Sequence, residues 1–401
     1  MILNNVSSDI IEINMDIIKK CSKDYSDLKL DELKNYIYLF YRIIYKGDKF
    51  INKKYKNNKY IKKNINYQYY FDKNEKPLMW NSSFFPENIK KYIEIEESTM
   101  INYTIVIDSR TFSLYFYIYN DEEILNNIDN YVKNVFIWLY IANEYINSKC
   151  SKFTNIYIYL TPFEKKLPNK PNITLDHNNV NTAFTMSGCN NNGEIIIYRK
   201  EEWFKVLIHE CFHSFDFDFS TSSIEKIKYK IKKQFNVKSD FLIYESYCEV
   251  WARIINCLIT AYGCLNNKKN IKKYMELSNI FLQFERIYSL QQCNNILKYM
   301  NLSYRDLLIK GNNNYNENYN ENSNVFCYYV IGSILMSDYY QFIDWSYKNN
   351  EYFINFSRKT EVLTSYGNLI IDIGIKGEFI NSLECVKMIR GNVARMTCIE
   401  F

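Results

Sequence analysis

The sequence predicts an α+β protein, in which a small mixed β-sheet is followed by a mainly helical C-terminal part. Between residues 101 and 199 apolar residues alternate or form short runs, whereas beyond residue 220 their spacing is helical. All five prolines lie at or before Pro171, so the C-terminal half contains none of the strongest helix breaker. We therefore expect three regions: an N-terminal helical and basic region (1–98), a sheet region (99–219) and a helical region (220–401).

Strand and helix patterns follow one another in a consistent order through the first half of the chain. Residues 8–45 have helical spacing, and INYTIVIDSRTFSLYFYIYN predicts two strands joined at Asp108–Arg110. Next come a helical stretch (122–147), the strand TNIYIYLTP, the strands VNTAFTM and GEIIIYR, and the apolar-periodic helix KEEWFKVLIHECFHSF. Near the C-terminus NLIIDIGI is interpreted as a strand, and the Asn-rich segment 311–324 as a loop.

Composition and targeting signals favour a cytoplasmic protein. Hydrophobic residues make up 47% of the 401 residues and the net charge is only +5, which does not by itself indicate nucleic acid. The N-terminus has early acidic residues and no apolar core, unlike a secretory signal. The longest apolar run, VFCYYVIGSILM, is too short to span a membrane. Eleven cysteines without CxxC pairs favour reduced thiols over a disulfide framework.

Residues 46–63, KGDKFINKKYKNNKYIKK, combine eight lysines with aromatic residues. One interpretation is a surface for nucleic acid or phosphate. The other is a solvated basic loop, whose lysine content reflects the general Asn- and Lys-rich composition of the chain. The sequence favours the second interpretation, because no nucleic-acid-binding motif accompanies the lysines.

Residues 209–213, HECFH, contain two of only three histidines in the chain. On a helix His209 and His213 project from one face, so both imidazoles can bind the same ion. Glu210 lies about 100° around that helix, where its carboxylate can reach a water near the ion without being a ligand. The spacing predicts a Zn²⁺ site with two histidine ligands and Glu210 as the catalytic base. The alternative is a pair of ordinary buried histidines.

A catalytic zinc ion usually has three protein ligands, so a further ligand is needed. Asp216 lies seven residues beyond His209, about 10 Å along one helix, too far to share the ion. Glu225 lies on a lysine-rich helix whose composition indicates exposure to solvent. The third ligand is therefore expected from a later element.

The segment SDFLIYESYCEVWARIINCLITAYG predicts an amphipathic helix on which Glu245 and Glu249 lie four residues apart. One of them can bind zinc while the other accepts a hydrogen bond from a ligand imidazole. The alternative is an exposed acidic stripe, with Glu249 paired to Arg253.

HExxH followed by a helix with Glu-x-x-x-Asp/Glu resembles the gluzincin zinc metallopeptidases. The stretches NTAFT, GEIIIYRKEEWFKVLIHECFH, YESYCEVWA and ARMTCIEF are similar to metallopeptidase-like proteins of large cytoplasmic DNA viruses. The resemblance covers about residues 154–262 and the C-terminal end, and it implies a zincin-like fold. It implies these site residues: zinc ligands His209, His213 and Glu245, catalytic base Glu210, and Glu249 as the support of a histidine.

The same resemblance implies a substrate-binding edge strand and also shows two departures from the family. The edge strand would contain Asn181 and Ala183, unless this strand lies inside the sheet. Glu249 stands where many gluzincins have aspartate. No histidine follows His213, so a later imidazole cannot stabilise the oxyanion.

Peptide hydrolysis also requires a donor to the developing oxyanion. Tyr366, Tyr262 and Arg395 qualify by residue type, although their spacing selects none of them. His177, the remaining histidine, is interpreted as an exposed loop residue.

The sequence thus predicts a zinc-dependent endopeptidase that acts on a peptide or protein substrate. One alternative is a catalytically silent zinc-binding or virion structural protein with the same fold. Glu210 argues against it, because a purely structural zinc ion needs no base. Another alternative is nucleic-acid binding through residues 46–63.

Overall fold

A six-stranded mixed β-sheet organises the fold. The computed structural model describes residues 5–21, 23, 27–56, 61–170, 173–308, 319–386 and 392–400. The strands are β1 (Ile61–Tyr69), β2 (Ser98–Ile107), β3 (Arg110–Ile118), β4 (Phe153–Leu160), β5 (Ala183–Thr185) and β6 (Asn192–Ile197). Their order is β1-β2-β3-β4-β6-β5, with β3, β4 and β6 mutually parallel and the other pairs antiparallel. The short strand β5 therefore lies at one edge.

The sheet follows from the alternation in the sequence. On β2 the side chains of Ile101, Tyr103 and Ile105 are buried on one face, as the period of two requires. Asp108, with a φ of 51°, makes the turn to β3, which confirms the predicted hairpin. Strands β4 and β6 lie inside the sheet and read as continuous apolar runs because both of their faces are covered.

Helices make up most of the rest of the chain. They are α1 (Asn5–Cys21), α2 (Asp27–Lys56), α3 (Glu87–Ile95), α4 (Glu122–Asn143), α5 (His177–Val180), α6 (Trp203–Ser214), α7 (Glu225–Gln234), α8 (Tyr244–Gly263), α9 (Ile271–Tyr299), α10 (Tyr304–Leu308), a π-helical turn (Phe326–Ile331), α11 (Gly332–Ser337), α12 (Tyr339–Asn349), α13 (Thr360–Gly374) and α14 (Gly377–Cys385). The expected mixture of a mixed sheet with a mainly helical C-terminal half is confirmed. In the part of the chain that the structure describes, every helix is too short or too polar to cross a membrane.

The two faces of the sheet have different covers. Helices α4 and α6 pack on the inner face and join a large hydrophobic core that continues through α8 and α9. The outer face is covered by a smaller aromatic cluster that includes Trp80, Phe85 and Tyr159, contributed partly by the segment before α3. Helix α6 is therefore held between the sheet and α8, which fixes its position on two sides.

The N-terminal region, residues 1–98, packs against the sheet and the later helices. Strand β1 pairs with β2, and α2 packs against α4, α8 and α9. Residues 46–56 continue α2 instead of forming a loop, and the lysines Lys46, Lys49 and Lys53 lie on its exposed side. Residues 57–60 of the basic stretch lie outside the described residues.

The predicted strand NLIIDIGI and the predicted loop 311–324 have different outcomes. The run NLIIDIGI belongs to helix α13, so the strand prediction is wrong. Ile370 and Ile373 are buried at helical spacing against other helices, and this packing overrides the β-propensity of isoleucine. In the Asn-rich segment, residues 311–318 lie outside the described residues.

Four of the eleven cysteines form disulfides, so the expectation that all thiols are reduced is wrong for these four. Cys21 is bonded to Cys385, 364 residues away, and Cys150 is bonded to Cys189. The other seven thiols are free. The sequence spacing did not indicate these pairs, because they are brought together only by the packing of distant elements.

Candidate metal centre

Helix α6 holds both histidines of the HExxH motif on its buried face. His209 and His213 are only 6% and 5% exposed. The helix ends in a Schellman turn, in which Phe217 N donates to Phe212 O and Asp216 N donates to His213 O. Asp216 adopts the left-handed conformation that this turn requires, with a φ of 63°. The turn reverses the chain, which brings Asp218 back beside His213.

Glu245 on α8 meets the two imidazoles. Its Oε2 atom lies 3.1 Å from His209 Nε2 and 3.3 Å from His213 Nε2. The two Nε2 atoms are themselves 3.1 Å apart. Three ligand-type atoms from two packed helices thus form a nearly equilateral triangle.

The dimensions of this triangle suit a tetrahedral ion. Zinc binds histidine nitrogen and carboxylate oxygen at about 2.0–2.1 Å, and the edge of a tetrahedron of that radius is about 3.3 Å. The measured separations of 3.1–3.3 Å match that edge. The three residues therefore fit zinc by donor type, number and spacing, and the ligand assignment itself remains a prediction.

Each imidazole has a carboxylate partner on its other nitrogen. His209 Nδ1 lies 3.4 Å from Glu249 Oε2, and His213 Nδ1 is hydrogen-bonded to Asp218 Oδ2. If each Nδ1–H donates to its carboxylate, each Nε2 carries a lone pair directed at the centre of the triangle. Two facing lone pairs at 3.1 Å repel each other unless a cation lies between them.

The charges around the histidines favour a cation at this place. Burial disfavours the imidazolium form, but Glu245 and Glu249 outweigh it and raise the pKa of His209. For His213 burial is outweighed by Cys248, Glu245 and Asp218, which raise its pKa well above the usual value. Burial also opposes ionisation of Glu245, yet the two imidazoles hold its pKa well below the usual range. The pocket thus stabilises either protons or a metal ion.

Glu249 lies beside His209, as one interpretation of the sequence predicts, and it is also paired with Arg253, which was one part of the alternative. Its carboxylate lies near His209, and it also accepts hydrogen bonds from Lys205 Nζ at 3.0 Å and Arg253 Nε at 2.8 Å. Burial opposes ionisation, but Lys205 and Arg253 keep its pKa well below the ordinary value. Glu249 is only 1% exposed, so the alternative of an exposed acidic stripe is wrong.

Glu210 faces a small cleft beside the triangle. The cleft is lined by Glu210 and His209 of α6, Ala183 of β5, Tyr328 and eight other residues. Burial raises the pKa of Glu210, and the two imidazoles and Lys205 oppose this only in part. A carboxylate with a raised pKa is suited to accept and return a proton near neutral pH.

The cleft opens onto the edge strand β5. Asn181 and Ala183 both line it. Tyr198 N donates to Thr182 O at 2.9 Å, so the alternation of an antiparallel ladder directs the backbone N–H and C=O of Ala183 and Thr185 away from β6. Among the described residues no further strand pairs with that side, so β5 is not the interior strand considered as the alternative.

Tyr328, a residue that the sequence did not single out, lines the cleft beside Glu245. It lies in the π-helical turn, and its hydroxyl donates to Glu245 Oε2 at 3.1 Å. Its ring centroid is 5.9 Å from that of His209. π-Helical turns occur frequently at functional sites because the extra residue redirects a side chain.

The predicted oxyanion donors lie elsewhere, which corrects those assignments. Tyr366 is fully buried among aromatic rings, and its hydroxyl is 2.8 Å from Ser246 Oγ. Arg395 donates to Thr397 O and pairs with Glu400 at 2.8 Å. Both are held by core packing and ion pairing, and neither lines the cleft.

The remaining candidates are also away from the histidines. Tyr262 donates to Asp48 Oδ2 at 3.0 Å. His177 begins α5, and its ring contacts Phe84 with centroids 6.1 Å apart. Glu225 is exposed on α7. Asp216, excluded as a ligand, is paired with Arg358 at 2.6 Å.

Four residues that the sequence did not single out belong to the site. Asp218 had a weak signal, since it follows His213 by five residues in an alternating Phe-Asp stretch. Lys205 precedes His209 by one helical turn, which places it on the same face. Tyr328 and Lys165 gave no signal, because they come from elements distant in sequence.

Comparison of the chain with protein-family models, with curated proteins and with solved structures finds no match in any of the three. The functional interpretation therefore depends on the residues and their geometry.

Proposed function

We propose that the protein is a zinc-dependent metalloendopeptidase of zincin-like fold. The observation that carries this proposal is the triangle of His209 Nε2, His213 Nε2 and Glu245 Oε2, with sides of 3.1–3.3 Å. The base of the HExxH motif lies beside it in a cleft that reaches a sheet edge. Supporting features of the fold are an antiparallel edge strand next to the motif helix and a second helix that supplies an acidic residue.

His209, His213 and Glu245 would hold the ion, with Glu249 and Asp218 orienting the imidazoles. When bound, zinc supplies Lewis-acid chemistry, which polarises a carbonyl group and lowers the pKa of water. Glu210 accepts the proton of the attacking water and then delivers it to the leaving amine. Its raised pKa favours that return of the proton.

Tyr328 is the donor that we assign to the developing oxyanion. Its hydroxyl is fixed at the cleft by Glu245, and burial raises its pKa well above the usual value, so it remains protonated. The one hydrogen of this hydroxyl donates to Glu245 Oε2 here, and it would turn to the developing oxyanion once that oxygen holds the ion. Rotation of the hydroxyl leaves the buried ring in place, so the negative charge is stabilised with little rearrangement.

A substrate in extended conformation would pair with β5. Ala183 and Thr185 present backbone N–H and C=O groups towards the open edge, and Asn181 lies in the cleft lining beside them. Such pairing recognises the main chain of a peptide without requiring a particular sequence. This supports a peptide or protein substrate.

The decisive experiment compares wild-type protein with Glu210→Gln. We expect about one bound zinc per chain in both proteins, measured by metal analysis. Cleavage of a peptide library should fall by about 10²–10⁴-fold in the variant, the usual contribution of a general base.

Equal cleavage by both proteins would identify a contaminating peptidase. Zinc binding without cleavage in either protein would contradict the enzymatic proposal and favour the catalytically silent alternative.

A further inference from the structure

One end of the cleft contains polar groups that the proposed mechanism does not use. This end lies between the first half of α6 and the start of β5, and Val180, Val206 and Met396 contribute apolar surface to it. Lys165 and Thr182 line the same space, and both are only 2% exposed.

Lys165 has unused hydrogen-bonding capacity. Its Nζ atom donates to Glu202 Oε2 at 2.5 Å, which is its one hydrogen bond among the described residues. An ammonium group has three donors, so two remain for another acceptor. By contrast, the neighbouring Lys205 donates to both oxygens of Glu249 and contacts Met396 Sδ at 3.8 Å.

Thr182 is the second unused group. Its hydroxyl is buried and has no hydrogen-bond partner within the described part of the chain. A buried hydroxyl without a partner is costly, and a ligand that accepts its hydrogen bond removes that cost. Lys165 and Thr182, both with unused donors, thus line the same small space.

This end of the cleft lies where the residue after the scissile bond of a bound peptide would be. In a peptide added antiparallel to β5, the C-terminal residues lie opposite the beginning of that strand. With the scissile bond at His209 and Glu210, these are the residues after that bond. Thr182 and Ala183 are at the beginning of β5, and Val206 is near the beginning of α6. The side chain of the residue that follows the scissile bond would therefore enter here.

We propose that Lys165 and Thr182 form a carboxylate-binding subsite, which selects substrates with aspartate immediately after the scissile bond. This proposal rests on the proposed peptidase function. The carboxylate accepts from Lys165 Nζ and Thr182 Oγ1, while Val180 and Met396 enclose the short side chain. Because the cleft is small, aspartate fits better than a longer acid.

The balance of charge permits another carboxylate. The lysines and glutamates that line the cleft are Lys165, Lys205, Glu210 and Glu249. Glu202 does not line it but is paired with Lys165, as Glu249 is with Lys205. Each lysine has one carboxylate partner, and a bound divalent ion would offset the charges of Glu210 and Glu245. The two remaining N–H donors of Lys165 would then favour a substrate side chain that carries a carboxylate.

The test uses peptides that differ only in the residue after the scissile bond, with aspartate, asparagine or leucine, which have similar size. We expect the kcat/KM value for aspartate to exceed that for leucine by about tenfold or more, with asparagine between them, because hydrogen bonds to charged groups are the stronger ones. Thr182→Val should reduce the Asp/Leu ratio several-fold, and Lys165→Met should abolish it. Thr260→Val, a buried threonine whose hydroxyl also has no partner but which does not line the cleft, should leave the ratio unchanged.

A binding measurement separates this proposal from the peptidase proposal. The same peptides are titrated onto zinc-loaded Glu210→Gln protein, alone and combined with Thr182→Val. One outcome supports the subsite alone: wild-type protein cleaves no peptide, aspartate peptides bind Glu210→Gln protein more tightly than leucine peptides, and Thr182→Val removes this difference. In that case the subsite proposal holds and the peptidase proposal fails. The subsite proposal would be overturned if leucine peptides were bound and cleaved as well as aspartate peptides, or better.

A second pair of peptides identifies the source of the carboxylate. Aspartate peptides with an amidated C-terminus should retain the preference if the side chain is recognised. A preference that is instead found for peptides that end in leucine with a free C-terminal carboxylate would overturn recognition of the aspartate side chain. That result would show that the subsite binds the C-terminus of a chain. Thermal unfolding of Thr182→Val and Lys165→Met checks that each variant is folded.

Discussion

At the scale of single residues, the site depends on carboxylates that reach the histidines by different routes. Glu249 comes from a neighbouring helix and is held by Lys205 and Arg253, whereas Asp218 arrives through the reversal of the chain after α6. Such outer carboxylates fix the tautomer and the direction of an imidazole, and their loss commonly weakens metal binding 10–100-fold. The direction in which each Nε2 lone pair points is therefore decided outside the HExxH motif.

Glu245→Ala should lower zinc affinity by at least about 100-fold, since loss of an outer carboxylate alone can cost that much. Glu225→Ala is the matched control, because Glu225 is exposed on α7 and distant from the histidines. Competition with a chelator measures both affinities. Loss of zinc in the Glu225 variant with retention in the Glu245 variant would show that the wrong helix had been assigned.

At the scale of elements, a short edge strand and a π-helical turn complete the cleft around α6. Strand β5 uses the backbone groups of Thr182 and Phe184 to pair with β6 and leaves those of Ala183 directed outward. The π-helical turn directs Tyr328 towards Glu245 from the opposite side. In the proposed function, β5 would recognise the main chain of a substrate and the π-helical turn would supply a side-chain donor.

Ala183→Pro should reduce kcat/KM for peptides by about 3- to 10-fold, the effect of one lost backbone hydrogen bond. Proline removes an N–H that faces the open edge and not one that pairs with β6, so the sheet should remain intact. Ala183→Gly keeps the N–H and serves as the control, and zinc content should be unchanged in both variants. Equal activity of the two variants would show that substrates do not pair with β5.

At the scale of the whole molecule, the sheet region and both terminal regions share one hydrophobic core. Buried residues of α2, the sheet and α8 all belong to it, for example Leu33, Leu114 and Leu258. The disulfide between Cys21 and Cys385 links the first helix to the last. A link across 364 residues removes much of the freedom of the unfolded chain, which favours the folded state.

Cys385→Ala should lower the free energy of unfolding by about 2–5 kcal/mol, the usual contribution of a disulfide. Denaturant unfolding with and without a reductant measures this difference, and Cys264→Ala, a free and partly exposed thiol, is the control. Thiol titration of the denatured wild-type protein should find seven free thiols. Finding all eleven cysteines reduced would contradict the disulfides and the stability difference together.

Local periodicity explains which expectations the structure confirms. The sequence predicted the hairpin of β2 and β3 and the helix that contains His209, because each of these patterns is complete within a short segment. The run that became α13 was misread as a strand, since several isoleucines in succession suit either a strand or a buried helix. The disulfides, by contrast, had no signal of this kind.

The sequence alone determined that His209 and His213 share one face of a helix, with Glu210, the proposed base, beside them, because this follows from residue spacing along one element. Only the tertiary structure decided that Glu245 meets both imidazoles and that Asp218 and Tyr328 complete the site. It also decided that Lys165 and Thr182 share one cleft. These contacts join elements far apart in the chain, and their distances depend on how α6, α8 and the sheet pack together.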